Sequence, residues 1–212
     1  MRIVIVEPHS DDAWINLGGF ILKNPTDEFK IITICNDELN NKNETKKLEK
    51  IFPNIKTTHL KYTGMLLSDH KKILPDNYID YFISLNRKFF WNGYKIKNFR
   101  DLEEKIEHEI TSYDYIFLPF GAYHPQHVII SKITSTIPMR YYLDFPYRFN
   151  SDIDLFELIS KSVKIDVTDV LDKKIRIFNK IYQSQIAILE VKSKLGISIK
   201  ENTVEYYFPH AI

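Results

Sequence analysis

The chain has 212 residues, 44% of them apolar and 27% charged, with a formal net charge of +1. That length suits one well-buried domain rather than two, and the near-neutral balance gives no general electrostatic reason to bind nucleic acid or an anionic membrane. No apolar stretch in the sequence approaches the roughly 20 residues of a membrane span, and the single cysteine, Cys35, excludes an internal disulfide framework.

Ile3 to Val6 is a short, β-branched, continuously apolar run, the pattern of a strand covered on both faces. It reaches Glu7-Pro8 too soon to serve as an ordinary signal peptide, so a cytoplasmic location is expected. Ala13 to Leu22 has helical spacing with Gly18-Gly19 inside, and Phe29 to Cys35 reads as a second strand. A helix follows the polar stretch 36–47 and reaches Phe52, where Pro53-Asn54 stops it. Ile55 to Tyr62 alternates like a strand. Residues 63–112 read as a variable, substrate-side insertion ending in a charged helix near Asp101 to Ile110. Tyr115 to Pro119 is a buried strand, Val128 to Ile137 a helix, Met139 to Leu143 a strand, and Leu171 to Val191 a long helix. Short strands alternating with helices predict an α/β fold with a mostly parallel sheet between helical layers.

Two segments carry chemistry. Pro8-His9-Ser10-Asp11-Asp12 lies directly after the first strand, at the carboxyl edge where open parallel sheets bind ligands. Its imidazole and two carboxylates can supply metal ligands and a base. Ser10, Asp11 and Asp12 can equally cap the next helix and offset its dipole. His124-Pro125-Gln126-His127 follows a later strand, and alone a His-x-x-His pattern is as compatible with surface histidines as with a ligand pair. If strands 3–6 and 115–119 are neighbours, the segments meet. His9, Asp12 and His127 then provide two imidazoles and one carboxylate, a set that leaves a position open as catalytic zinc requires.

These segments resemble the LmbE-like (PIG-L) family of zinc-dependent N-acetylglucosaminyl de-N-acetylases. That family carries Pro-His-Pro-Asp-Asp-Glu after its first strand, a Gly-Gly pair in the next helix and a later His-Pro-Asp-His. Arg140 to Pro146 is similar to its Tyr-Tyr-Tyr-Glu-x-Pro strand. Asp166-Val167-Thr168, Lys174 and Tyr182 to Gln185 are similar to its late Asp-Ile-Thr…Lys…Ser-Gln segment. The resemblance implies a single-domain, Rossmann-like three-layer sandwich. It also implies a site in which His9, Asp12 and His127 bind Zn²⁺, with Fe²⁺ suited to the same donors. Asp11 is then the general base, and His124 stabilises the oxyanion and protonates the departing amine. The implied substrate is a small N-acetylated sugar or glycoconjugate, cleaved to acetate and a free amine. Nucleic acid is not an expected partner, and a homo-oligomer is compatible with the sequence.

The chain departs from the family pattern at Ser10 for proline, at Ala13 for glutamate and at Gln126 for aspartate. Loss of an anion at 126 is expected to make His124 harder to protonate. The family's Pro-Asp-Gly substrate loop is replaced by Tyr62 to Leu66, so Asp69, Trp91, Tyr94 and Tyr123 become substrate-side candidates or plain structure. Ala13 and Gln126 together also admit a catalytically impaired binding or assembly subunit. A metal-free nucleotide-binding domain lacks its Gly-x-Gly-x-x-Gly, and the basic-aromatic patch Arg87 to Lys97 reads better as a solvated face or a pocket wall than as a nucleic-acid site.

Overall fold

The computed structural model describes residues 1–35, 41–62, 99–121, 125–144, 159–183 and 203–209. Strand β1 (Arg2–Glu7) is buried from Ile3 onward, because helices cover both faces of the sheet it runs through. Alternate side chains point to opposite faces. Ile3 and Ile5 pack with Trp14, Leu17 and Ile21 of α1 (Asp12–Lys23), Leu48 of α2 (Asn41–Ile51) and Phe178 of the helix over 171–181. Val4 and Val6 pack on the other side with Leu102, Ile106 and Ile110 of α3 (Phe99–Ile110) and Ile130 of α4 (Pro125–Ile130). The three-layer α/β expectation is borne out.

The sheet further contains β2 (Glu28–Cys35), β3 (Ile55–Tyr62), β4 (Tyr115–Pro119), β5 (Met139–Tyr142), β6 (Val163–Asp166) and β7 (Val204–Phe208). Its order is β3-β2-β1-β4-β5-β7-β6. The first five strands are parallel, and β7 lies antiparallel between β5 and β6. Sequential connections run outward from β1 to one side and return to its other side at β4. The crevice between β1 and β4 is therefore the topological switch point, where open α/β sheets bind ligands.

Four elements differ from the sequence expectation. The helix expected over 128–137 lies earlier, at Pro125–Ile130. It starts with proline at its first position, where the missing N–H costs nothing. Beyond it, the N–H groups of Thr134 and Thr136 are taken by Glu103 and Glu107 of α3 rather than by a continuing helix. The long helix expected over 171–191 is α5 (Leu171–Ile181), closed by Tyr182 at φ −100 and ψ 49; residues 184–191 lie outside the described set. Strands β6 and β7 have no counterpart in the sequence reading. β6 is a largely exposed edge, and the inward position of β7 holds a glutamate, which breaks the apolar signature. Of the expected insertion 63–112, residues 63–98 lie outside the described set, and α3 is packed into the core. Among the described residues no helix is long and apolar enough to cross a membrane.

That glutamate, Glu205, fixes α1. One carboxylate oxygen accepts from Gly19 N–H at 2.7 Å and from Lys174 Nζ at 2.7 Å; the other accepts from Phe20 N–H at 2.7 Å. Lys174 also donates to Ile15 O at 2.6 Å, and both ionic side chains are fully buried. Such an approach of a side chain to a mid-helix backbone requires a bare position. A Cβ on Gly19 would lie 2.3 Å from Val167 Cγ1 and 3.0 Å from the Glu205 carboxylate. Gly19→Ala is expected to lower stability by about 1–3 kcal/mol through overpacking, measurable as a reduced urea midpoint with an unchanged m-value.

Candidate metal centre

Parallel pairing of Ile3 with Tyr115, Val4 with Ile116 and Ile5 with Phe117 sends the loops after β1 and β4 out of the same edge of the sheet. The first loop carries residues 8–11 into α1. The second turns at Gly121, whose φ of 87° needs glycine, and enters α4. The two segments meet: donor atoms of His9, Asp12 and His127 all lie within 4.8 Å of one another. The condition set by the sequence, adjacency of the first and fourth strands, is fulfilled.

Asp12 is the hub. Its Oδ2 accepts from His9 N–H at 2.9 Å, and lies 3.1 Å from His9 Nδ1 and 3.3 Å from His127 Nε2. Each imidazole is held from its far side. His127 Nδ1 bonds Asp144 Oδ1 at 3.0 Å, and His9 Nε2 bonds the Gln126 amide oxygen. Because a carboxylate and an amide oxygen only accept, the outward nitrogens carry the hydrogens. The inward nitrogens face Asp12 and share protons with its carboxylate, and theirs are the lone pairs that would turn to a bound cation once those protons are displaced. The ring centroids stand 5.4 Å apart.

The electrostatics favour a cation. Burial opposes charge on His127, but Asp12 and Asp144 outweigh it and push its pKa up to about 10. His9 is raised as well: burial lowers it, while its bond to Asp12 and the Asp12 charge raise it further. Burial raises Asp12, yet the neighbouring imidazoles carry it well below the usual carboxylate range. His127 is fully buried and Asp12 is 5% exposed, while part of His9 reaches the surface. Two oriented imidazoles and one carboxylate, largely buried, fit Zn²⁺ or Fe²⁺ in donor type and number.

No family model and no curated protein matches the sequence. Solved structures do. The A40926 pseudoaglycone deacetylase aligns over 98% of this chain and 96% of its own length, with a TM-score of 0.63 at 15% identity. The zinc-inhibited form of teicoplanin deacetylase covers 89% of this chain and 86% of its own length, with a TM-score of 0.64 at 15% identity. The N,N'-diacetylchitobiose deacetylase from Pyrococcus horikoshii covers 98% and 84%, with a TM-score of 0.50 at 16% identity. The chain has the fold of these deacetylases.

Of the capping alternative for the first segment, side-chain capping by Asp11 is absent, while Asp12 does stand in the first turn of α1, where its charge offsets the helix dipole. Asp11 occupies the N-cap of α1 but makes no side-chain cap bond, and Asp12 turns back to His9. Asp11 is half-buried beside the hub. His124 and Tyr123 lie outside the described residues, as do Asp69, Trp91 and Tyr94. Three residues support the site through contacts that sequence reasoning did not foresee. Asp144 holds His127 and also accepts from Gly121 N–H at 2.7 Å; its signals were its place after a buried strand and in the run similar to Tyr-Tyr-Tyr-Glu-x-Pro. Gln126 reaches His9, across the sheet edge. Glu7, fully buried, accepts from Ala13 N–H at 2.8 Å and Thr33 Oγ1 at 2.7 Å. Burial pushes its carboxyl well above the usual range. It thus brings a carboxyl to the loop at the position where alanine stands instead of the glutamate of the resembled motif.

Asp144→Ala removes the acceptor that sets the His127 ring. It is expected to weaken Zn²⁺ binding about 10- to 100-fold, read by competition with a chromophoric chelator.

Proposed function

We propose that this chain is a metal-dependent N-deacetylase of the LmbE-like kind, hydrolysing the acetamide of an amino sugar or sugar conjugate. The observation that carries this reading is the convergence of His9, Asp12 and His127 at the switch point, with both imidazoles oriented from outside. The shared fold supports it, since its bearers include deacetylases named for A40926 pseudoaglycone, teicoplanin and diacetylchitobiose.

In this reading His9, Asp12 and His127 hold the metal, Zn²⁺ by donor type, with Fe²⁺ chemically suited to the same set. When bound, Zn²⁺ lowers the pKa of a neighbouring water towards about 7 and polarises an amide carbonyl. Asp11, next to Asp12 and uncommitted to capping, takes a proton from the attacking water. The water oxygen adds to the acetamide carbon, the C–N bond breaks, and the amine leaves with a proton while acetate remains. His124, protonated, has the part of steadying the negative oxygen and giving its own proton to the amine, to be reprotonated when Asp11 releases the proton taken from water.

Two variants and one assay test this. Acetate release from a panel of N-acetylated sugars and glycoconjugates is measured with stoichiometric Zn²⁺, after chelation and after Zn²⁺ is restored. Activity should vanish on chelation and return with the metal. Asp11→Ala is expected to lower kcat by about 10²- to 10⁴-fold while retaining one bound metal per chain. His127→Ala is expected to lose the metal. A wild-type chain that stays metal-free after incubation with Zn²⁺ would sink the hydrolase reading, and metal loss in Asp11→Ala would overturn the division between base and ligands.

A further inference from the structure

We infer that Gln126 is a positioning residue for the metal centre, acting through His9 and clamping the β1 loop to α4. This rests on the metal-site reading above and assigns Gln126 a different role from tuning His124. The observation is the bond between His9 Nε2 and the Gln126 side-chain oxygen, formed between residues 117 apart in sequence. It does two things at once. Accepting the Nε2 hydrogen reserves Nδ1, 3.1 Å from Asp12 Oδ2, as the ring nitrogen that would face a bound cation. It also ties a partly exposed ring on a loop to the first turn of a helix that is anchored in the core through Ile130.

The geometry of α4 explains why this residue can do so. Consecutive helical positions diverge by about 100°, so His127 and Gln126 address different parts of the site from one turn. His127 is the fully buried member, held from behind by Asp144. Gln126, also buried, crosses to the other imidazole. One short helix thereby provides one candidate ligand and the support of the second. The two supports differ in charge: a carboxylate backs His127, whereas a neutral amide backs His9. An anionic acceptor makes the imidazole a better electron donor than a neutral one, so His9 is the weaker of the two donors.

The test is a titration of the full-length chain with Zn²⁺ against a competing chelator, and with Co²⁺ followed by its visible spectrum. Gln126→Leu keeps side-chain bulk and removes the acceptor; Gln126→Glu keeps an acceptor oxygen at the same reach. Leu is expected to weaken Zn²⁺ binding about 10- to 100-fold and to alter the Co²⁺ spectrum. Glu is expected to restore binding to the wild-type level or tighter. Circular dichroism and thermal melting of the metal-free variants report whether each is folded, and Gln126→Ala replaces Leu if it is not. Wild-type affinity in the acceptor-free variant, or a Glu variant as weak as Leu, overturns the inference while His127→Ala still loses the metal. A wild-type chain that binds neither ion overturns it together with the metal-site reading.

Discussion

Everything at the candidate site depends on the parallel pairing of β1 with β4. Adjacent strands stand about 4.8 Å apart, so two loops leaving neighbouring parallel strands at one edge emerge almost in contact. With α1 starting at Asp12 and α4 at Pro125, neither connection has room to carry its polar residues away. The pairing is itself enforced by burial. Both strands are apolar on both faces, and slipping them by one residue would exchange the two halves of the core.

The position of α1 is set with the same firmness at its other end. Glu205 and Lys174 form a buried ion pair whose remaining hydrogen-bonding capacity is spent on the backbone of Ile15, Gly19 and Phe20. A buried pair of this kind adds little net stability over well-packed apolar groups. Its consequence is registry: the helix can neither rotate nor slide without stranding a charge. Asp12, in the first turn of that helix, inherits a fixed direction. The β1 loop is held from below by Glu7, which reaches Ala13 and Thr33.

Charge explains why these devices converge. Asp12 and Asp144 are buried acids whose charge must be balanced locally. The imidazoles between and beside them respond, with His127 raised to about 10 despite complete burial. A place that holds protons this tightly offers the same negative potential to a divalent cation, and the outer hydrogen bonds already point the ring nitrogens to receive it. The arrangement joins a stability requirement, neutralising buried carboxylates, to a chemical one, presenting two imidazoles and a carboxylate together.

Local pattern determined most of the frame. The apolar runs at 3–6, 29–35 and 115–119 specify buried strands, and the breaks at Pro53 and Gly121 bound their neighbourhoods. The chemistry-bearing segments were legible because each stands immediately after such a strand. The contacts of Asp144, Gln126 and Glu7 were not legible, because each acts on a partner 6 to 117 positions away; Gln126 stood out only as a departure beside His124, not as the support of His9. The same holds for β7, whose inward Glu205 looks like a surface residue until Lys174 is brought beside it. The sequence by itself determined the five parallel strands and which loops hold donors, since burial and turn formation are local in cause. Tertiary structure alone decided which nitrogen of each imidazole faces the carboxylate, because hydrogen-bond acceptors from distant elements fix that choice.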